Sequence, residues 1–265
     1  MRTVPPALPV FLVLVTLACG GGDATGPSPT PTSVSVVLSS TELVAGDTAR
    51  ATASLRLSDG TSSAITTGWL SDNTTVASVT TDGTITALNN GSATIYVVSQ
   101  GHQGQQVVRV YPVYGGQWTG SQTLLRCVEA TGGWAGLCPT DPLGTRYGVG
   151  LGLVQSLGTV LATPSIYIGD DFAQVPVQIQ ADGRLEFTAF WTAPSGSTVR
   201  SSWNVVSVAE DRMSGTILEE WRHPLADGLR QQEWEVFLGR ISGPPPQIRS
   251  RSLPPVLPLL PTRLP

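Results

Sequence analysis

Residues 38–99 read LSSTELVAGDTARATASLRLSDGTSSAITTGWLSDNTTVASVTTDGTITALNNGSATIYVVS. Short apolar–polar alternations recur along this stretch, with turn residues between them. ARATASLRL, TVASVT, TITAL and ATIYVVS each carry the two-residue period that places one set of side chains on one face of a strand. SVSVVLS, which begins ahead of the stretch, and QVVRVYP after it read the same way. Asp59-Gly60, Asp82-Gly83 and Asn90-Gly91 accept positive φ and mark turns. No helical period intervenes, so residues 33–112 are predicted to form a small β-sandwich. Trp69 is the lone tryptophan of that segment. It is expected in the core, among Leu55, Val76, Val79, Ile85, Ile95 and Val97, because a large aromatic packs between two sheets.

Five motifs in this segment resemble the bacterial Ig-like domain, group 2. They are Val44-Ala45-Gly46-Asp47, Trp69, Val76-Ala77-Ser78-Val79, Gly83-Thr84-Ile85-Thr86-Ala87 and Gly91-Ser92-Ala93-Thr94-Ile95. The resemblance implies an Ig-like sandwich of the kind found in surface and adhesion proteins, where it often serves as a spacer.

Outward from this segment, residues 114–242 show eight further strand candidates, at 117–126, 147–155, 159–168, 172–180, 185–192, 198–207, 212–221 and 232–241. Leu185, Phe187, Ala189 and Trp191 share one face and Glu186, Thr188 and Thr192 the other, and Val175, Val177 and Ile179 alternate with Gln174, Gln178 and Gln180. Sequential strands joined mostly by short turns predict an up-and-down meander, which loses its exposed edges by closing into a barrel. The fold class is therefore all-β: an Ig-like β-sandwich followed by an antiparallel up-and-down β-barrel of about eight strands. Gly116-Gln117-Trp118 in the first of these strands resembles the Gly-x-Trp of lipocalins and related calycins. That resemblance implies a lipocalin-like barrel in which Trp118 plugs the closed end and Arg240, near the end of the last strand, packs on it.

The flanks point to export. Residues 1–18 carry Arg2 and then an apolar run, the pattern of a signal peptide, and the run is too short to cross a bilayer. Thr16-Leu17-Ala18-Cys19 resembles the lipobox of bacterial lipoproteins, with Thr16 where an aliphatic residue is usual. The resemblance implies lipid on Cys19, and the plainer alternative is ordinary cleavage near Ala18 that leaves a free thiol. Residues 19–32, glycine- and proline-rich, read as a tether. Gly20, rather than aspartate, after the cysteine makes the outer membrane or cell surface the expected location. With Cys19 lipidated, Cys127 and Cys138 are left to pair, and an exported chain meets oxidising conditions. Such a disulfide would restrain the loop of residues 127–146 or hold it as a lid. Residues 243–265 are proline-rich and are expected to form a disordered or polyproline tail.

The chain carries a formal charge of −4, and its 15 basic residues are scattered arginines, which leaves no nucleic-acid footprint. His102 and His223 stand outside any nucleophile or zinc motif, and Glu219 and Glu220 are adjacent on a strand and so face opposite ways. No enzyme, metal or cofactor is expected. Six tryptophans fall in the second domain, and tryptophan stacks well on sugars and apolar ligands. Trp134, Trp191 and Trp203 are the candidate ligand-contacting residues for a small apolar molecule or a glycan. The alternative is that the tryptophans fill the barrel and that the protein is structural or adhesive, with a surface protein as its partner.

Overall fold

The computed structural model describes residues 28–135, 142–165, 173–193, 196–222, 224–225 and 227–241. The expected signal peptide, Cys19, Cys138, His223 and the proline-rich tail lie outside the described residues. Among the described residues no helix is long and apolar enough to cross a membrane.

The first domain has nine strands: β1 (Pro31–Leu38), β2 (Glu42–Val44), β3 (Thr48–Leu57), β4 (Ser62–Ile65), β5 (Trp69–Ser71), β6 (Ala77–Val79), β7 (Thr84–Ala87), β8 (Gly91–Ser99) and β9 (His102–Tyr111). One sheet runs β1-β3-β7-β6 with β4 also on β3, and the other runs β2-β9-β8-β5. All pairings are antiparallel except β2 with β9. Alternation decides what goes inside. Ala49, Ala51 and Ala53 of β3 face Ala93, Ile95 and Val97 of β8, and all are buried. Trp69 lies buried in this cluster with Val76, Ile85, Ile95 and Val97, and Val79 packs against it half-buried. Leu55 is buried but outside that cluster. Gly83 holds φ at +85°, and a Cβ there would sit 2.6 Å from the Ala51 carbonyl and 3.0 Å from Trp69 Nε1. The turn therefore requires glycine both for its dihedral and for the closeness of the core.

The second domain has eight strands: β10 (Gly116–Ala130), β11 (Arg146–Ser156), β12 (Thr159–Ser165), β13 (Val175–Gln178), β14 (Leu185–Thr192), β15 (Thr198–Ala209), β16 (Arg212–Arg222) and β17 (Leu229–Arg240). Their order in one antiparallel sheet is β13-β12-β11-β10-β17-β16-β15-β14. The first and last strands pair over much of their length, from Trp118–Arg240 to Ala130–Arg230. A single bridge, Ile179–Leu185, spans the seam between β13 and β14, so the barrel is nearly closed.

The two poles of the barrel differ. Two-residue turns, Leu157-Gly158 and Glu210-Asp211, join strands at the pole where β10 starts. The described residues that follow β10 lie at the other pole and include a short helical turn, Gly132–Trp134. The interior is filled largely with apolar side chains, with Trp118, Trp203 and Trp234 among the largest buried ones.

Candidate functional site

At the near pole the chain is clamped as it leaves the sandwich. Trp118 is fully buried, and its indole N–H donates to the Tyr114 carbonyl at 2.8 Å. Arg240 is its cross-strand partner, with the guanidinium 4.5 Å from the ring centroid. The same guanidinium donates to the Val113 carbonyl at 2.8 Å. Trp118 and Arg240 thus meet as a cation–π pair over the linker. The Gln155 amide donates to the Pro112 carbonyl at 2.8 Å, and its oxygen accepts from the N–H groups of Tyr114 (2.6 Å) and Gly115 (3.1 Å). The Tyr114 hydroxyl donates to the Gly183 carbonyl and accepts from the Ser207 N–H at 3.0 Å. Burial pushes this phenol up to about 12, since the ionised form would be left in a poorly solvated site.

The sandwich also touches this pole directly. Arg109 donates to Asn90 Oδ1 at 3.2 Å and to the Ala181 carbonyl, across the domain boundary, at 2.9 Å. Tyr111, at the end of β9, donates to Glu42 at 2.9 Å and packs against the barrel core. A Cβ on Gly158 would lie 2.6 Å from the Tyr111 ring, so a side chain at this turn would have to displace the tyrosine.

The far pole carries the aromatic group. Trp191, on β14, and Trp134 both make near-perpendicular contacts with Trp221, at 5.5 Å and 6.3 Å between ring centroids. All three are half-buried. Trp203 is not part of this group. It lies deeper in the barrel, buried and stacked on Phe187 at 5.6 Å. The structure therefore brings Trp134 and Trp191 together through Trp221, which sequence reasoning had not singled out. Cys127 lies half-buried on β10 and is disulfide-bonded.

Beneath the tryptophans lies a polar layer that the sequence analysis also missed. Ser201, Glu219 and Gln232 are side-by-side partners on β15, β16 and β17, and all three are buried. Glu219 is 0% exposed. It accepts from the Trp221 indole N–H at 3.2 Å and from the buried amide of Gln122, on β10, at 3.5 Å. Glu220 faces outward and pairs with Arg200 at 2.9 Å, which draws its carboxyl below the usual range. On β16, Met213, Ile217, Glu219 and Trp221 share one parity, so the face that buries Met213 and Ile217 carries Glu219 inward with them. Among the described residues no group of three or more His, Cys, Asp or Glu side chains could hold a metal ion.

Residues 31–110 match the family of bacterial Ig-like domains, group 2. No curated protein matches the chain. Among solved structures, it is similar to domains 5–6 of the S-layer protein SbsC, at 16% identity, 77% of this chain, 97% of that chain and a TM-score of 0.25. A longer structure of the S-layer protein SbsC matches at 12% identity over 79% of this chain and 36% of that one, with a TM-score of 0.27. A protein of unknown function from Nostoc punctiforme matches at 9% identity over 80% of this chain and 94% of that one, with a TM-score of 0.24.

Proposed function

We propose that this protein is an exported bacterial surface protein, anchored through lipid on Cys19, whose Ig-like domain is a spacer presenting the far pole of the barrel as a binding module. The carrying observation is the clamp at residues 112–115. Gln155, Tyr114 and Arg240 fix the chain where it enters the barrel, so the barrel is held on the sandwich by its near pole. β10 then runs for 15 residues, roughly 50 Å, away from that point. The tryptophans at its far end lie at the pole opposite the linker. Their ligand is a small apolar molecule or a glycan. A Cys127–Cys138 disulfide would staple the loop beside them, and the Trp118–Arg240 contact supports kinship with lipocalins.

A second reading, a structural or adhesive protein without a small-molecule site, draws support from the filled barrel interior and from Phe190, 64% exposed on the outer face. Location is tested by labelling cells that express the full chain with a membrane-impermeant reagent, and by following incorporation of radioactive palmitate. Wild type is expected to take up both labels, and Cys19→Ser to lose the palmitate. Palmitate uptake by Cys19→Ser, or protection of the wild type from the reagent, overturns this placement.

A further inference from the structure

The outer face of the barrel carries negative charge that its own arginines leave unbalanced. Outward side chains of five adjoining strands line up there in two rows. One row runs Glu186, Asn204, Thr216, Glu235 and Thr123 across β14, β15, β16, β17 and β10. The other runs Thr188, Ser202, Leu218, Glu233 and Arg126 across the same strands. An open groove of about 650 Å³ lies over these rows, with Glu186 at one side and Glu233 at the other. Its floor is short polar side chains, with the Thr188 and Ser202 hydroxyls 3.1 Å apart, and half-buried Leu218.

The arginines of this face are already engaged. Arg126 is bonded to Glu233 at 2.6 Å, Arg200 to Glu220 at 2.9 Å and Arg184 to Asp182 at 2.9 Å. Arg146 donates to the Thr123 hydroxyl at 3.3 Å. Among the described residues no arginine forms an ion pair with Glu186 or Glu235. Nearer the pole where β17 ends, the same face bears Phe237, 50% exposed, whose cross-strand neighbours are Ser121 and Ser214. A ring standing among serines offers an open apolar surface beside the acidic groove.

The chain supplies a segment of matching chemistry. Residues 243–252, which lie outside the described residues, read GPPPQIRSRS, and no acidic residue occurs anywhere from 236 to 265. Proline-rich sequence favours an extended left-handed helix, which has little conformational entropy to lose when it docks on an aromatic surface. Gly243 can take the reversal that would turn the chain back along the barrel.

The distances agree. At about 3.4 Å per residue along β17, Phe237 lies about 14 Å back from Ile241, Glu235 about 20 Å and Glu233 about 27 Å. At about 3.1 Å per residue, a segment returning from Gly243 carries Ile248 about 16 Å back, Arg249 about 19 Å and Arg251 about 25 Å. Ile248 then falls on Phe237, Arg249 beside Glu235, and Arg251 in the groove between Glu233 and Glu186. A tether this short also holds the segment at an effective concentration on the order of millimolar, so modest contacts suffice.

We propose that the basic, proline-rich segment 243–252 docks back on the outer face of its own barrel, over Phe237 and into the groove that carries Glu186, Glu233 and Glu235. The docked segment is a strap on the barrel wall that occupies the groove against other basic chains. It is independent of what the far pole binds.

The test uses the full chain with Cys19→Ser and a nitroxide label on Ser250→Cys, observed by NMR of the backbone amides. The amides of Asn204, Thr216 and Glu235 are expected to lose at least half of their intensity to the label. Glu186→Lys combined with Glu235→Lys should restore them, and so should salt at about 1 M, where charges are screened beyond about 3 Å. Both glutamates point outward, and an unchanged melting temperature of the double variant would show that the barrel is intact. Broadening confined to the residues beside Ile241 leaves the groove empty and overturns the proposal. Broadening centred on another face overturns the assigned groove. Broadening that survives both the charge reversals and the salt overturns the ionic basis of the contact. A mixture of spin-labelled chains without isotope and isotope-labelled chains without nitroxide should show no broadening; if it does, the segment docks on a second copy, which overturns docking within one chain.

Discussion

Replacing Tyr114 with phenylalanine removes one oxygen and tests the clamp. That hydroxyl donates to the Gly183 carbonyl and accepts from the Ser207 N–H. Gly183 is buried, so its carbonyl loses its partner without gaining water, while half-buried Ser207 can be hydrated in part. An unpaired buried group costs roughly 1–3 kcal/mol, which puts Tyr114→Phe at about 2–3 kcal/mol. The phenol gives a second handle. Its folded value of about 12 lies above the ordinary 10, so the fold prefers the neutral form. At 1.36 kcal/mol per tenfold change in proton affinity, that preference is about 3 kcal/mol. The sign follows from linkage: this stability is fully present below pH 10 and is lost as the pH rises from 10 to about 12. Urea unfolding followed by tryptophan fluorescence reads both effects, since Trp118 hydrogen-bonds Tyr114 itself. With a urea dependence of about 1.5–2 kcal/mol/M for a domain of this size, the midpoint should fall by about 1–2 M at pH 8. Between pH 10 and 12 the wild type should lose stability more steeply than Tyr114→Phe. Equal midpoints at pH 8, or equal slopes above pH 10, would refute the reasoning.

Three further outcomes follow from other contacts. Asp82 accepts from Thr80, Thr84 and Arg50, and the threonine hydroxyls hold its carboxyl at about 2. The sandwich should lose the corresponding stability as the pH falls from about 4 towards 2, and Asp82→Asn should flatten that step in an acid titration followed by near-ultraviolet circular dichroism. Gly83→Ala meets both a left-handed backbone and the Ala51 carbonyl, and should lower sandwich stability by about 1–3 kcal/mol in the same spectroscopic unfolding assay. Arg240→Met keeps an apolar stem over Trp118 but loses the bond to Val113 and the ring contact. It should cost about 1–2 kcal/mol, and limited proteolysis should cut more quickly at residues 112–115.

Where alternation ran long enough, the strands could be read from sequence. β14 occupies Leu185–Thr192, the same residues that alternate in the sequence, because each of its faces meets one environment. β2, β4 and β5 have only three or four residues each and went unread. They are strands because a neighbour supplies the ladder, and β2 pairs in parallel with the far end of β9, a contact no local pattern encodes. Cys127 was placed at the start of a loop, yet β10 continues through it to Ala130 across two register irregularities. The Trp134–Trp221–Trp191 group depends on which strands adjoin after closure, so it had no linear signature. The polar layer had one, the inward parity of Glu219 on β16, but a lone carboxylate in a strand looks the same whether it faces water or the barrel axis until the other strands are in place.

The pairing of β10 with β17 has a mechanical consequence. The chain enters the barrel at Gly116 and reaches the end of its last strand at Arg240, both at the near pole. Tension between the linker and the residues after Arg240 would open that pair like a zipper, one hydrogen bond at a time. Tension between the linker and something gripped at the far pole would run along the strands instead. The ladders on either side of β10 would then resist in shear, with many bonds stretched together. The same fold is therefore weak when pulled by its own two ends and strong when pulled by what it holds.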